Sequence, residues 1–123
     1  MAYHPINLAV RFLLELAALA AFAMYGWGLT DHAALRVVLA VLFPVIAAAL
    51  WGIFAVPDDP SRSGSAPVPI PGATRLILEL SFFAAAAWAL SARSSAGAGA
   101  LASAVVIHYA VSYERIAWLV GSR

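Results

Sequence analysis

The chain has 123 residues, of which 64% are hydrophobic and only 11% are charged, with seven basic residues against six acidic ones. An average soluble domain is about half apolar and about a quarter charged, so this composition excludes both an ordinary soluble domain and a disordered chain. The net charge of +1 offers no basic surface for nucleic acid, and the lack of Cys and Lys excludes thiolate metal sites and Schiff-base chemistry. The composition therefore predicts a small integral membrane protein.

Four stretches are long and apolar enough to cross a bilayer, which requires about 20 residues of helix. They cover residues 6–29, 34–56, 73–91 and 98–120. We expect the first to be a retained helix and not a cleaved signal peptide, because Arg11 and Glu15 lie inside it and no basic residue precedes it. The predicted fold is an all-α membrane protein: a four-transmembrane-helix bundle that forms a single membrane domain over residues 1–123.

The segment over residues 57–72 holds five of the seven prolines. This composition predicts a Pro-rich flexible loop with no fold of its own, in which Asp58 and Asp59 are solvated. Another proline, Pro44, lies inside the second stretch and should kink that helix, which neighbouring helices tolerate in a membrane.

Basic residues predict the orientation. Four spans place both termini and the Pro-rich segment on one side of the membrane. Five arginines fall on that side, namely Arg11, Arg62, Arg75, Arg115 and Arg123, and only Arg36 and Arg93 fall on the other. Because cytoplasmic segments carry the excess of positive charge, both termini are expected in the cytoplasm.

The pattern R-x-x-L-E-L opens the first and third stretches, at Arg11 to Leu16 and again at Arg75 to Leu80. Each copy runs into an alanine-rich segment and then a late Trp, Trp27 or Trp88. This internal repeat predicts two tandem helical hairpins with the same direction of entry into the membrane.

Ionisable residues inside the predicted spans are costly unless they are paired. With a rise of about 1.5 Å per residue, Glu15 lies about 13 Å into the first helix. Residues four apart share a helix face, so Asn7, Arg11 and Glu15 form one polar stripe. The candidate polar layer, on one side of the bilayer, comprises Asn7, Arg11, Glu15, Arg75, Glu79, His108, Ser112, Glu114 and Arg115.

Two interpretations of this layer stay open. It could be structural, with ion pairs that fix the packing of the helices, or it could line a cavity that binds a proton, an ion or a small solute. His4 and His32 lie at opposite ends of the first helix, so His108 gains no second metal or haem ligand from them. Ser112 near His108 is more typical of a back-bonded helical serine than of a nucleophile. We therefore expect no catalytic residue, no metal and no cofactor.

Several short motifs resemble the YrdB family of small bacterial membrane proteins. These are Asn7 with the Arg11-to-Leu16 segment, Gly26-Trp27, Pro44, Trp51-Gly52, Pro57, the Arg75/Glu79 segment and Glu114-Arg115. The resemblance implies a four-span protein of the bacterial inner membrane with no characterised function, and it supplies no site residues. The length and Glu15 are also similar to small multidrug-resistance transporters, but that similarity ends at this glutamate.

The leading functional hypothesis is a non-enzymatic binding or accessory component of the bacterial inner membrane. Its expected partners are the lipid bilayer and either further copies of itself or a larger membrane complex, with no role for nucleic acid. The alternative is a small proton- or ion-coupled transporter or channel in which Glu15 and Glu79 titrate.

Overall fold

The computed structural model describes residues 2–62 and 65–122, and the regular secondary structure in this part of the chain is helical apart from two short strands. The elements are α1 (Pro5–Gly28), α2 (Ala33–Ile53), β1 (Phe54–Ala55), β2 (Val68–Pro69), α3 (Gly72–Ser91), α4 (Ser95–Val111) and α5 (Tyr113–Gly121). Arg123, which was counted in the predicted orientation, lies outside the described residues. The first three helices begin and end within about three residues of the stretches predicted for them.

Polar side chains set the starts of three helices. His4 and His32 each accept a hydrogen bond from a backbone N–H in the first turn of α1 and α2, and the Ser94 hydroxyl does the same for α4. Such N-caps satisfy donors that have no partner inside the helix. The helix α2 runs through Pro44 without ending there.

The central helices are α1 and α3, which pack against each other and against α4. Small and aromatic residues meet at their interface, where Ala18, Ala21, Phe83 and Ala86 are buried. At the other side of α1, the helix α2 approaches so closely that a Cβ on Gly26 would overlap the Leu39 carbonyl. Small residues thus set the distances between the helices, as is usual in membrane proteins.

The helix α2 has no buried residue, and its outer face carries a row of exposed branched side chains that includes Val37, Val38, Val41 and Val45. By length and composition, α1, α2 and α3 could each cross a membrane, and α4 with α5 makes a fourth candidate if that bent pair counts as one span. An outward apolar face of this kind is compatible with contact to lipid.

The structure differs from the prediction in the last stretch, where one helix was expected over residues 98–120. Instead the chain bends by 71° between α4 and α5. The bend lies at Ser112, whose hydroxyl accepts a hydrogen bond of 2.7 Å from the Asn7 side chain. Because of the bend, α5 packs on α3 and buries Arg115 and Leu119.

Two residues of the Pro-rich segment, which was predicted as a flexible loop with no fold of its own, form a short strand. Its Val68 and Pro69 pair in parallel with Phe54 and Ala55, which fall within the stretch that was predicted as the end of the second span. The Ile70 N–H donates to the Ala55 carbonyl at 2.9 Å and continues this pairing. This pairing holds Val68, Pro69 and Ile70 beside the end of α2.

Candidate functional site

The side chain of Glu79, on α3, is completely buried and is surrounded by cations. Its Oε2 lies 2.9 Å from Nη2 of Arg11 and 2.8 Å from Nε of Arg75, and it also accepts from Nη2 of Arg115. Its other oxygen, Oε1, accepts from the Tyr109 hydroxyl at 2.7 Å and from Nε of Arg115 at 3.3 Å. One carboxylate thus joins side chains from α1, α3, α4 and α5.

The guanidinium of Arg75 has a second role. Its Nη1 donates to the backbone carbonyls of Trp51 and Phe54, the latter at 2.6 Å. These two carbonyls lie at the end of α2, where the helix supplies no N–H for them. The Arg75 guanidinium also lies 4.5 Å from the centre of the Trp51 ring, a cation–π contact. Arg75 therefore fastens the end of α2 to the start of α3.

Arg115 connects Glu79 to a second buried carboxylate. Its Nη1 and Nη2 lie 2.9 Å and 3.0 Å from Oδ1 and Oδ2 of Asp59, the bidentate geometry that arginine favours. The Ser61 hydroxyl accepts from Arg115 and donates to Asp59. Asp59 is only 6% exposed, so the expectation that it is solvated is wrong. We call Arg11, Arg75, Arg115, Glu79 and Asp59 the arginine cluster.

A polar cavity of about 340 Å³ opens beside the arginine cluster. Its walls include Arg11, Glu15, Trp51, Asp59, Arg62 and Arg75. Within the described residues, two buried donors on these walls, Nη1 of Arg11 and Nε of Arg62, have no hydrogen-bond partner. The Glu15 side chain is 21% exposed, and its contact with Nε of Arg11 is long, at 3.4 Å. The cavity thus lies next to two buried donors without a partner in the described residues and next to a fixed set of charges.

The structure brings together four of the sequence-predicted residues, Arg11, Arg75, Glu79 and Arg115, and places Glu15 at the edge of the cavity. Asn7 and Ser112 bond to each other at the bend. His108 is buried on α4, and in the part of the chain that is described its Nδ1 has no hydrogen-bond partner.

Glu114 was predicted as the third carboxylate of the layer. In residues 2–62 and 65–122, the carboxylates that contact the three buried arginines are instead Glu79, Glu15 and Asp59. Glu114 is partly exposed on α5 and makes contacts elsewhere. The bend at Ser112 explains this difference, because it turns the Arg115 side of α5 toward α3.

Sequence reasoning missed Asp59, Ser61 and Tyr109. Tyr109 could have been found, because tyrosines favour the membrane interface and this one lies deep in the last apolar stretch. Asp59 carried no comparable signal, since it follows the second span in a segment of turn-forming residues.

The carboxylate at the centre of the cluster is saturated with hydrogen bonds. Over the described ranges, no group of three His or acidic residues is placed to hold a metal ion. The Glu79 carboxylate is satisfied by three guanidiniums and one hydroxyl, so it has no capacity left for a ligand. The donors without a partner near the cavity, within the described residues, are instead the buried Nη1 of Arg11 and Nε of Arg62.

Asp59 gives the structure a predictable response to acid. Burial alone would raise its pKa, but the hydrogen bonds and charge of Arg115, with the Ser61 donors, outweigh that effect and hold the pKa below its usual range. A lowered pKa means that the ion pair contributes fully above the unfolded value, about 4, and that its contribution is lost as the pH falls through the folded value.

We therefore expect Asp59→Asn to lower the free energy of unfolding by about 2 kcal/mol at pH 7, with a smaller difference from the unsubstituted protein near pH 3. Thermal unfolding in detergent at both pH values measures this. Asp58→Asn is the matched control, because Asp58 is exposed and has φ 63°, a conformation that Asn accepts. Equal losses for the two variants at pH 7 would contradict the ion pair.

Comparisons with known proteins agree with the resemblance found in the sequence. Residues 9–108 match a family described as a protein of unknown function, DUF2568. The uncharacterized protein YrdB of Bacillus subtilis (strain 168) is 39% identical over 114 residues, which cover 92% of each chain. No solved structure matches the chain. With this coverage and identity, the chain belongs to the YrdB family, the DUF2568 proteins of unknown function.

Proposed function

We propose that this protein is a non-enzymatic binding or accessory component of the bacterial inner membrane. The observation that carries the proposal is the complete burial of the Glu79 side chain among Arg11, Arg75 and Arg115. A carboxylate that carries ions must exchange them with water, whereas this one is 0% exposed. Its ion pairs and hydrogen bonds join side chains of α1, α3, α4 and α5, which supports a structural role for the charges in a binding or accessory component.

In this proposal the chain forms a four-span bundle in which α4 and α5 together make a broken fourth span, with both termini in the cytoplasm. The excess of arginines on the side of the Pro-rich segment supports that orientation. Two tandem hairpins are supported by the pairs Arg11–Glu15 and Arg75–Glu79, each an i, i+4 ion pair on a central helix. The bacterial relative supports the inner membrane as the location.

Co-purification tests the accessory role. The protein, tagged and cross-linked in the membrane before extraction, should be recovered in mild detergent with a larger membrane protein at a fixed ratio, read by mass spectrometry. Mixing the tagged lysate with membranes that lack the tagged chain controls for association after extraction. Recovery of a single 12.9 kDa chain alone would overturn the accessory role.

A second candidate is a small proton- or ion-coupled transporter, and Glu15 is the observation that favours it. Glu15 lines the polar cavity and is partly exposed, so its carboxylate can exchange protons with the cavity. Under this function, proteoliposomes should show a pH-dependent flux that Glu15→Gln abolishes and Asp58→Asn preserves. Background flux of protons, Na⁺ and K⁺ would contradict it, and that is the result expected of an accessory component.

A further inference from the structure

An apolar groove lies between α2 and α3 and adjoins the polar cavity. It encloses about 320 Å³, and its lining includes Phe22, Phe43, Ala47, Leu50, Trp51 and Phe82. The aromatic rings pack on one another, with 4.6 Å between the centres of Trp51 and Phe82 and 5.5 Å between those of Phe22 and Phe82. Because the side chains of the groove are nearly all apolar, it suits a hydrocarbon chain.

Trp51 lines both the groove and the polar cavity, so the two spaces meet at this side chain. One space is apolar and the other is lined by charges, and each reaches the lower end of the volumes usual for ligand sites, about 300 Å³. A molecule that fills both must have a charged head and an apolar chain. This is the arrangement of an amphiphile.

The charges of the cavity specify the sign of the head. Its walls carry three guanidiniums, those of Arg11, Arg62 and Arg75, against the two carboxylates of Glu15 and Asp59. The excess is one positive charge. Within the described residues, the arginine of these walls without a carboxylate partner is Arg62, which is half-buried. Arg11 is only 7% exposed, and its Nη1 is one of the two donors that have no partner within the described residues. An anion with several oxygens would balance this charge and pair with the guanidiniums that line the cavity.

We propose that the polar cavity and the apolar groove together bind one anionic phospholipid. Its phosphodiester carries a single negative charge and lies against Arg11 and Arg62, and one acyl chain lies in the groove beyond Trp51. Guanidinium groups match phosphate oxygens, and basic pockets between membrane helices are suited to lipid head groups. The inference rests on the membrane location proposed above and is independent of any protein partner.

Lipid binding to the purified protein tests the head-group site. Titration with phosphatidylglycerol, phosphatidylcholine or inorganic phosphate, followed by thermal shift and native mass spectrometry, should show at least a tenfold preference for phosphatidylglycerol over phosphatidylcholine. Arg62→Gln should weaken phosphatidylglycerol binding about tenfold or more. Arg93→Gln, at an exposed arginine that donates to the Met24 carbonyl, is the control and should leave binding unchanged.

A second pair of variants tests the groove without changing the charges. Ala47 lines the groove, whereas the neighbouring Ala48 is exposed on the outer side of α2. Ala47→Trp should weaken phosphatidylglycerol binding about tenfold and leave any effect of inorganic phosphate unchanged, while Ala48→Trp should change neither.

Three results would overturn the lipid site: equal binding of the two lipids, full binding by Arg62→Gln, or stabilisation by inorganic phosphate to which phosphatidylglycerol adds nothing. The first would indicate nonspecific lipid contact, and the last would indicate a free anion. The membrane location is checked separately, by whether the chain stays in the membrane fraction after an alkaline wash. The lipid site can therefore fail while the proposed function stands, and the accessory role can fail while the lipid site stands.

Discussion

Replacing Glu79 with Gln is expected to lower the free energy of unfolding by about 3–5 kcal/mol, the usual cost of removing one partner from a buried ion pair. Gln keeps the shape of the side chain, so the loss reports the charge and not a cavity. Without the carboxylate, Arg11 and Arg75 lose the negative charge that lies within 2.9 Å of each, at a side chain that is 0% exposed. Arg115 keeps Asp59 and is affected less.

Thermal unfolding in detergent measures the effect, and a loss of this size corresponds to a fall in Tm on the order of 10 °C. Glu15→Gln is the matched control, because it makes the same chemical change at the same position of the other R-x-x-L-E-L segment. The Glu15 side chain is 21% exposed and its contact with Arg11 is 3.4 Å, so its loss should cost less than about 1 kcal/mol. Similar losses for the two variants would contradict the central role of Glu79.

A double variant separates charge from packing. If the cost of Glu79→Gln comes from unpaired cations, adding Arg11→Gln should restore part of the stability, because it removes one of them. The two changes would then be non-additive, with a coupling of about 1–3 kcal/mol. Additive losses would show instead that Glu79 acts through its packing.

Much of the arginine cluster could be predicted, because several of its ion pairs join residues that are close in the sequence. Arg75 and Glu79 are four residues apart in an apolar stretch, so they share a helix face and cannot both face lipid at low cost. The same argument placed Arg11 next to Glu15. Long apolar stretches of this kind also predict three of the helices to within a few residues.

Two features of the site depend on tertiary contacts and could not be predicted in the same way. Asp59 is buried only because α5 folds back and brings Arg115 to it, a pairing across 56 positions of sequence. The bend itself lies at Ser112 without a Gly or Pro nearby. A serine followed two residues later by Glu114 in the next turn is a weak helix-start signal, and the apolar residues around it mask that signal.

The bend also explains why the two R-x-x-L-E-L segments differ in their surroundings. Glu79 lies on α3 beneath α5, which covers it with Arg115, whereas Glu15 lies on α1 beside the open cavity at the end of α2. The same six-residue pattern therefore carries a buried carboxylate at Glu79 and a partly exposed carboxylate at Glu15. The buried one suits a structural role, and the partly exposed one lies at the proposed ligand site.

The packing of α5 on α3 leads to a second large expected loss of stability, which concerns Gly72. This residue begins α3, and its N–H donates to the Ser122 carbonyl at 2.9 Å. A Cβ at this position would overlap the Leu119 carbonyl, which is backbone and cannot rotate away. Gly72→Ala should therefore push α5 from α3, loosen Arg115 from Glu79, and lower the free energy of unfolding by about 3 kcal/mol, the upper end for an overpacked site.

Gly99→Ala is the control, because a Cβ there meets nothing within 4 Å and Ala favours a helix over Gly by about 0.5–1 kcal/mol. The change from Gly to Ala should thus stabilise α4 at position 99, whereas at position 72 it should destabilise the contact between α3 and α5. Hydrogen exchange should rise across residues 113–121 in Gly72→Ala and stay unchanged there in Gly99→Ala. If Gly72→Ala were as stable as Gly99→Ala, α5 would not pack closely on α3 at this position. The burial of Glu79 would then require another cause.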